Sequence, residues 1–286
     1  MNNYGSDPVS AIVETEATGE TAEIFADILE TMEIPLLTSI WRTLVSTDGG
    51  LAAVWNAAKP LYTTGQPQAA LASIVQSGVL PVFEPLVPGQ LECAGVRSTE
   101  LPDVRAIVDA YNRSNGMNML ALMALVAVPE GPPLGEPIPA SPPSWPELWP
   151  LLGKDEIPPE IWALVTEVNR FGAVQGGGGL ATLWRHLAHW PGLLALVHGQ
   201  LAYPHRTGDL VQAVGEVHKL AQKAGARLAH LRQEPVVMPQ PARQMVEDYV
   251  AIPGAVTRMV AIGHALANWL APVPEKKGDI YSPNSG

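Results

Sequence analysis

The side chains best suited to chemistry gather in one stretch. From Leu183 the chain reads LWRHLAHWPGLLALVHGQLAY, which sets Arg185, His186 and His189 among apolar residues just after four glycines, Gly176 to Gly179. Titratable groups on an apolar helix that starts from a flexible glycine run mark a candidate pocket. A histidine has an ordinary pKa of about 6.5, so His186 is a candidate general base, or equally a packed histidine without a catalytic role. His186 and His189 are spaced i,i+3 and could begin a metal site. No carboxylate or thiolate follows nearby to complete one, so no metal is expected. Arg42 and Arg185 each follow a tryptophan, and could grip a substrate carboxylate bidentately or serve the packing. The run Tyr111-Asn112-Arg-Ser-Asn115-Gly116 adds amides that donate and accept hydrogen bonds; Asn115 could orient a nucleophile or a carboxylate, or merely cap a turn. The glycine run lacks the Gly-Lys-Ser/Thr ending of a phosphate loop and reads as a hinge.

Composition narrows the partners. The chain has 286 residues, 47% hydrophobic and 16% charged, with a net charge of −11. That is a globular protein with ample core and no basic surface for nucleic acid. Residues 1 to 34 carry eight acids and no base, as an acidic, solvated first segment would. Cys93 is the only cysteine and reads as a small buried apolar residue rather than a nucleophile; one thiol excludes an intrachain disulfide and zinc sites built on several thiolates. The longest apolar run, Met119 to Val128, falls short of the roughly 20 residues a bilayer requires, and the N-terminus has no basic region followed by an apolar one. A soluble cytoplasmic protein without membrane or nucleic-acid partners is expected.

The elements that must position these residues are helices, for nearly every segment has helical spacing and none alternates with period 2. Thr21 to Met32 is amphipathic, with Ile24, Ile28 and Leu29 on one stripe. Pro35 can open a second helix to about Ser46, Asp48-Gly-Gly a third to about Lys59, and Pro67 to Gly78 frames a fourth. Val82 to Gly95 is ambiguous. Pro102 to Val128 is the longest helical pattern, with an expected break from Asn112 to Gly116, where five poor helix formers would turn amides toward a ligand. Nine prolines between Pro129 and Pro150 make an extended linker.

Beyond the linker the pattern repeats. Trp184-Arg185, Leu187, Gly192, Leu194 and Val197 match Trp41-Arg42, Leu44, Gly49, Leu51 and Val54 at a constant offset of 143, and Glu160-Ile-Trp-Ala matches Glu23-Ile-Phe-Ala at 137. The glycine run accounts for the difference. Helices follow at Gly208 to Leu231, whose Lys219, Lys223 and Arg227 form a solvated stripe, at Gln240 to Ile252, and at Pro253 to Leu270. The expected architecture is all-α, two pseudo-repeats packed around a central pocket. Residues 1–17 form a flexible N-terminus, 18–128 the first repeat, 129–157 the linker, 158–272 the second repeat and 273–286 a loose tail.

FADILETMEIP from Phe25, Arg42-Thr-Leu, the Ala110 to Gly116 run and Ala188-His-Trp-Pro191, set in two helical repeats, resemble the group I 2-haloacid dehalogenases over residues 18 to 272. The resemblance implies a homodimer with a buried pocket between the repeats, acting on short 2-halocarboxylic acids without a cofactor. In that family an Asp-activated water attacks the substrate carbon directly. Carried over by position, the catalytic Asn falls on Asn115, within a motif that also offers Tyr111 and Asn112. The catalytic Asp falls on Leu183 and its preceding Ser on Thr182, while the aromatic pocket residues fall on Leu36 and Ser39. No Asp or Glu lies between Glu167 and Asp209 to take over, although His186 stands one turn beyond Leu183.

The family's base is therefore absent, and a base is worth about 10²–10⁴-fold in rate. The expectation is a cofactor-independent enzyme of this fold that promotes substitution or elimination at an sp³ carbon of a carboxylate-bearing substrate, with a nucleophile that the substrate itself can supply. The alternatives are a hydrolytic 2-haloacid dehalogenase with His186 as base and a carboxylate-binding homologue without turnover. The site expected under all three comprises Asn115 and His186 with Leu36, Ser39, Arg42, Tyr111, Asn112, Thr182, Leu183 and Arg185.

Overall fold

The structure, a computed structural model, describes residues 12, 14–139, 143–173, 179–251 and 256–272. Among them no strand occurs. Before the linker come α1 (Gly19–Met32), α2 (Ser39–Leu44), α3 (Gly50–Tyr62), α4 (Gln66–Gln76), the single turn α5 (Gln90–Cys93) and α6 (Leu101–Val126). After it come α7 (Pro159–Val168), α8 (Thr182–His186), α9 (Pro191–Thr207), α10 (Asp209–Leu228), α11 (Gln240–Ala251) and α12 (Val256–Leu270). No single described helix is long and apolar enough to cross a membrane. The termini expected to be loose and the glycines Gly176 to Gly178 lie outside the described residues, apart from a short 3₁₀ turn at Glu14–Glu16.

Local chemistry sets where these helices begin and end. On α1 the buried side chains are Phe25, Ile28 and Met32, with Ile24 and Leu29 at the edge of the core, so the buried stripe is turned from the expected one. The helix stops at Glu33, which adopts a left-handed φ of 52°. A residue with a side chain holds that conformation only when its surroundings impose it. Here Arg113 reaches from α6, donating through Nη2 to Glu33 Oε2 at 2.6 Å and through Nε to Met32 O at 3.0 Å, and Trp145 donates to Glu33 O at 2.9 Å. Pro35 does not open α2; the Leu37 N–H donates to Glu14 Oε2 at 3.3 Å, and the helix starts only at Ser39. In contrast α4 takes its proline in the first turn, as expected.

The central element is α6, whose 26 residues run unbroken over about 39 Å. The break expected at Asn112 to Gly116 does not occur. Asn112 donates to Gly263 O on α12 at 3.0 Å, Ser114 and Asn118 donate to Thr38 Oγ1 at 3.4 and 2.8 Å, and Asn118 accepts from Trp41 and Tyr62. Partners on other helices satisfy these side chains, so they do not compete for the backbone of α6, and packing overrides a weak local preference. Gly263 makes one of these contacts possible, since a Cβ there would stand 2.1 Å from Asn112 Oδ1.

Buried side chains form two cores, and α6 passes through both. Its C-terminal half, from Met117 to Leu125, packs with α1 to α4, α10 and α11; its N-terminal half, from Val104 to Tyr111, packs with α7 to α9. The helix α12 is shared in the same way, Val256 and Val260 falling in the first core and Ile262 and Leu266 in the second. The boundary between the cores therefore lies near Tyr111 on α6 and Met259 on α12.

Among its described residues the proline-rich linker has no helix between 129 and 150, as expected, but it is tied down at several points. Ile138 N donates to Thr64 O at 2.8 Å and Gln66 Nε2 to Glu136 O at 2.9 Å. Trp149 donates to Asp103 Oδ2 at 3.1 Å and packs on His189 and Trp190. It is a strap across both cores.

Candidate active site

At the boundary between the cores lies a cavity of about 360 Å³. Four segments build its wall: the start of α2 with Thr38, Ser39 and Thr43; Tyr111 and Asn115 on α6; Gly179 to Leu183 leading into α8; and α11 with α12. Its size is typical of a small-molecule site, as is its mixture of apolar surface with a few converging polar groups.

The entry into α8 is held by a buried hook. Asn169, which ends α7, accepts the Ala181 N–H on Oδ1 at 3.0 Å, and Arg258 on α12 donates to both the carbonyl and the side-chain oxygen of the same Asn169. Since Ala181 immediately precedes α8, this contact fixes where Thr182 and Leu183 meet the cavity. Arg258 is itself in the cavity wall and is 2% exposed, so a guanidinium stands where the cavity borders the core.

Behind Tyr111 runs a chain of hydrogen bonds. His186 Nε2 lies 2.5 Å from Trp149 O, and a carbonyl only accepts, so Nε2 carries the proton. Nδ1 then accepts from the Tyr111 hydroxyl across a long 3.4 Å. The Tyr111 oxygen in turn accepts from Thr182. Burial pushes the Tyr111 phenol up to about 12, against the Thr182 hydrogen bond and the positive charges of Arg42 and Arg185, so it stays protonated at neutral pH. Burial also drops His186 to about 4, only partly opposed by the Trp149 carbonyl, and His186 is neutral at pH 7. On the other side Tyr249 also lines the cavity. Burial raises its phenol far above the ordinary range.

Of the residues singled out from sequence, Ser39, Tyr111, Asn115, Thr182 and Leu183 meet in this cavity wall. Five others stand elsewhere. Leu36 is partly buried against the second core. Asn112 is bonded to Gly263. Arg185 gives Nε and Nη2 to Leu152 O at 3.0 and 2.6 Å, and so anchors the end of the linker. Arg42 is buried outside the wall, close enough for its charge to act on Tyr111 and Glu14. His186 sits behind Tyr111, while His189 Nε2 is bonded to Pro150 O at 2.8 Å, so both rings dock onto successive linker carbonyls. Among the described residues no three His, Cys, Asp or Glu side chains come together as metal ligands would.

Sequence reading missed Arg258, Asp248, Tyr249, Met245 and Met259, all of which line the cavity. One of them carried a signal. Arg258 is the only Lys, Arg, Asp or Glu in the mostly apolar α12, and a buried cation in such a helix needs an explanation. Asp248, in the run Glu247-Asp248-Tyr249 on a mixed helix, looks like any solvated acid.

No family model and no curated protein matches this sequence. Solved structures do. A D-2-haloacid dehalogenase mutant in complex with D-2-CPA superposes with a TM-score of 0.70 at 14% identity, covering 91% of this chain and 95% of that one. A D-2-haloacid dehalogenase with L-LA gives 0.70 at 15% identity, covering 91% and 96%. The chain therefore has the all-α fold of the D-2-haloacid dehalogenases along nearly its whole length, and its chemistry must be argued from its own cavity.

Proposed function

We propose that the protein is a cofactor-independent enzyme of dehalogenase-like fold that promotes substitution or elimination at an sp³ carbon of a small carboxylate-bearing substrate. The observation that carries this reading is the cavity itself, where the buried cation Arg258 shares a wall with Asn115, Tyr111 and Thr182. A guanidinium at the border of the core attracts a carboxylate more strongly than one in water does. Asn115 then orients the reacting group, the hydroxyls receive or steady the leaving anion, and Leu183 and Met259 keep water off the carbon.

Leu183 in the wall also supports the internal-nucleophile version. Where the family reading puts a water-activating carboxylate, this cavity presents a side chain that can take no proton. A nucleophile already tethered to the substrate has less need of that help, because proximity can supply effective molarities of about 10⁵–10⁸ M. The hydrolytic alternative keeps one specific support, the Thr182–Tyr111–His186 chain, through which a proton could pass from the cavity to Nδ1. His186 would act only through Tyr111.

Halide release separates the two routes. Substrates with an internal amine or hydroxyl four or five atoms from the halogenated carbon should turn over, with 2-chloropropionate slow by comparison, and Asn115→Ala should abolish the faster reaction. Brisk hydrolysis of 2-chloropropionate, with solvent ¹⁸O in the hydroxy acid and loss on His186→Ala, would establish the hydrolytic route instead. Carboxylate binding without chemistry across the panel would leave a binding protein. We further propose that the two helical halves are copies of one module and that the protein is a homodimer, which sedimentation would test.

A further inference from the structure

The cavity wall carries two formal charges among its described residues, and they are opposite: Arg258 on α12, buried, and Asp248 on α11, exposed toward solvent. The Asp248 carboxylate is steadied by Gln244 Nε2, which donates to Oδ1 at 2.9 Å. A plain carboxylate entering this cavity gains from Arg258 but is opposed by Asp248. A ligand that also carries an ammonium group answers both.

The remaining wall fits a connecting hydrocarbon segment. Met245, Met259, Val256 and Leu183 present apolar surface, and methionine adapts to irregular shapes. The volume of about 360 Å³ would hold roughly ten waters at about 30 Å³ each, far more room than a two- or three-carbon acid fills.

We propose that the substrate is an amino carboxylate, bound with its carboxylate toward Arg258, its ammonium toward Asp248 and its hydrocarbon segment against the two methionines. This rests on the carboxylate-binding reading above and deepens it by naming the substrate class. Once the ammonium gives one proton to the Asp248 carboxylate, the lone pair of the resulting amine is a nucleophile that the substrate carries itself, and the leaving group departs as the anion.

The test is calorimetric titration of the full chain with hexanoate, 2-aminohexanoate, 6-aminohexanoate and adipate. At least one amino form should bind about tenfold more tightly than hexanoate, the scale of one charge-assisted contact. Asp248→Asn should erase that advantage and leave hexanoate bound as well or better. Asp248→Lys should shift the preference to adipate, a change that loss of structure would not produce. If hexanoate binds and neither amino form binds better, or if the advantage survives Asp248→Asn, the amino carboxylate is wrong while the carboxylate pocket stands. If none of the four probes binds, both readings fall.

Discussion

Acid should unfold this protein through its buried histidines well before its carboxylates titrate. His186 and His264 are both driven by burial to about 4, against about 6.5 in an unfolded chain. A histidine kept neutral binds fewer protons folded than unfolded below pH 6.5, so stability is full above that pH and falls as pH drops from about 6.5 to about 4. At pH 5 the unfolded chain holds these rings almost fully protonated while the folded protein keeps each about nine-tenths neutral. The difference is about 2 kcal/mol for each histidine, or about 4 kcal/mol together, set against the roughly 5–15 kcal/mol that holds a typical domain folded.

Two acids act in the opposite direction. Burial raises Glu14 and Asp109, which therefore gain stability on the same descent, whereas Asp27, Glu100 and Glu234 are lowered and lose theirs only once the pH reaches the carboxylate range. Comparing a variant with its parent cancels these contributions. His186→Gln keeps a side-chain N–H for Trp149 O and cannot be protonated. Urea unfolding at pH 8 and pH 5 should show the parent losing about 2 kcal/mol more than the variant over that interval. Equal pH dependence of the two proteins would refute the reasoning. So would an NMR titration placing the folded His186 near 6.5, and that result would revive His186 as a base working at neutral pH.

Three further outcomes follow from particular contacts. Leu183→Asp places a carboxylate at the position onto which the family's catalytic Asp falls; halide release from 2-chloropropionate should rise at least about tenfold, at some loss of stability, and no rise in a folded variant would count against carrying that position over to Leu183. Gly263→Ala would put a Cβ 2.1 Å from Asn112 Oδ1 and should lower stability by about 1–3 kcal/mol in thermal unfolding, with part recovered when Asn112→Ala is added. Arg185→Met removes the donors to Leu152 O, so limited proteolysis between residues 129 and 150 should quicken while carboxylate affinity stays unchanged.

Periodicity carried the fold. Amphipathic spacing, helix-opening prolines and glycine stops mark α1, α4, α7 and α10, because burying one face of each helix is a local pattern with a global cause. The same logic failed on α6, where Asn112, Ser114, Asn115 and Gly116 look like a break. The partners of Asn112 and Ser114, Gly263 and Thr38, lie more than seventy residues away along the chain, and no window along the sequence contains both ends of such a bond. Local preference was a fair guide to what these residues would do alone, and alone is how a sequence presents them.

The site divides along a related line. Ser39, Tyr111, Asn115, Thr182 and Leu183 were reached through matched motifs, and they do converge on one cavity. The conspicuous arginines beside Trp41 and Trp184 do not line it, and Arg185 serves the linker. A tryptophan neighbour advertises an arginine in a buried setting, and burial alone does not say which neighbour the cation serves. The cation in the wall is Arg258, hidden in a helix whose pattern says core. An arginine there must be stabilised by something polar, and Asn169 gives it two acceptors beside the cavity that it lines. A lone charge breaking an apolar helix was thus the better signal, because solvation energy makes such a residue costly to keep unless the fold or a ligand answers it.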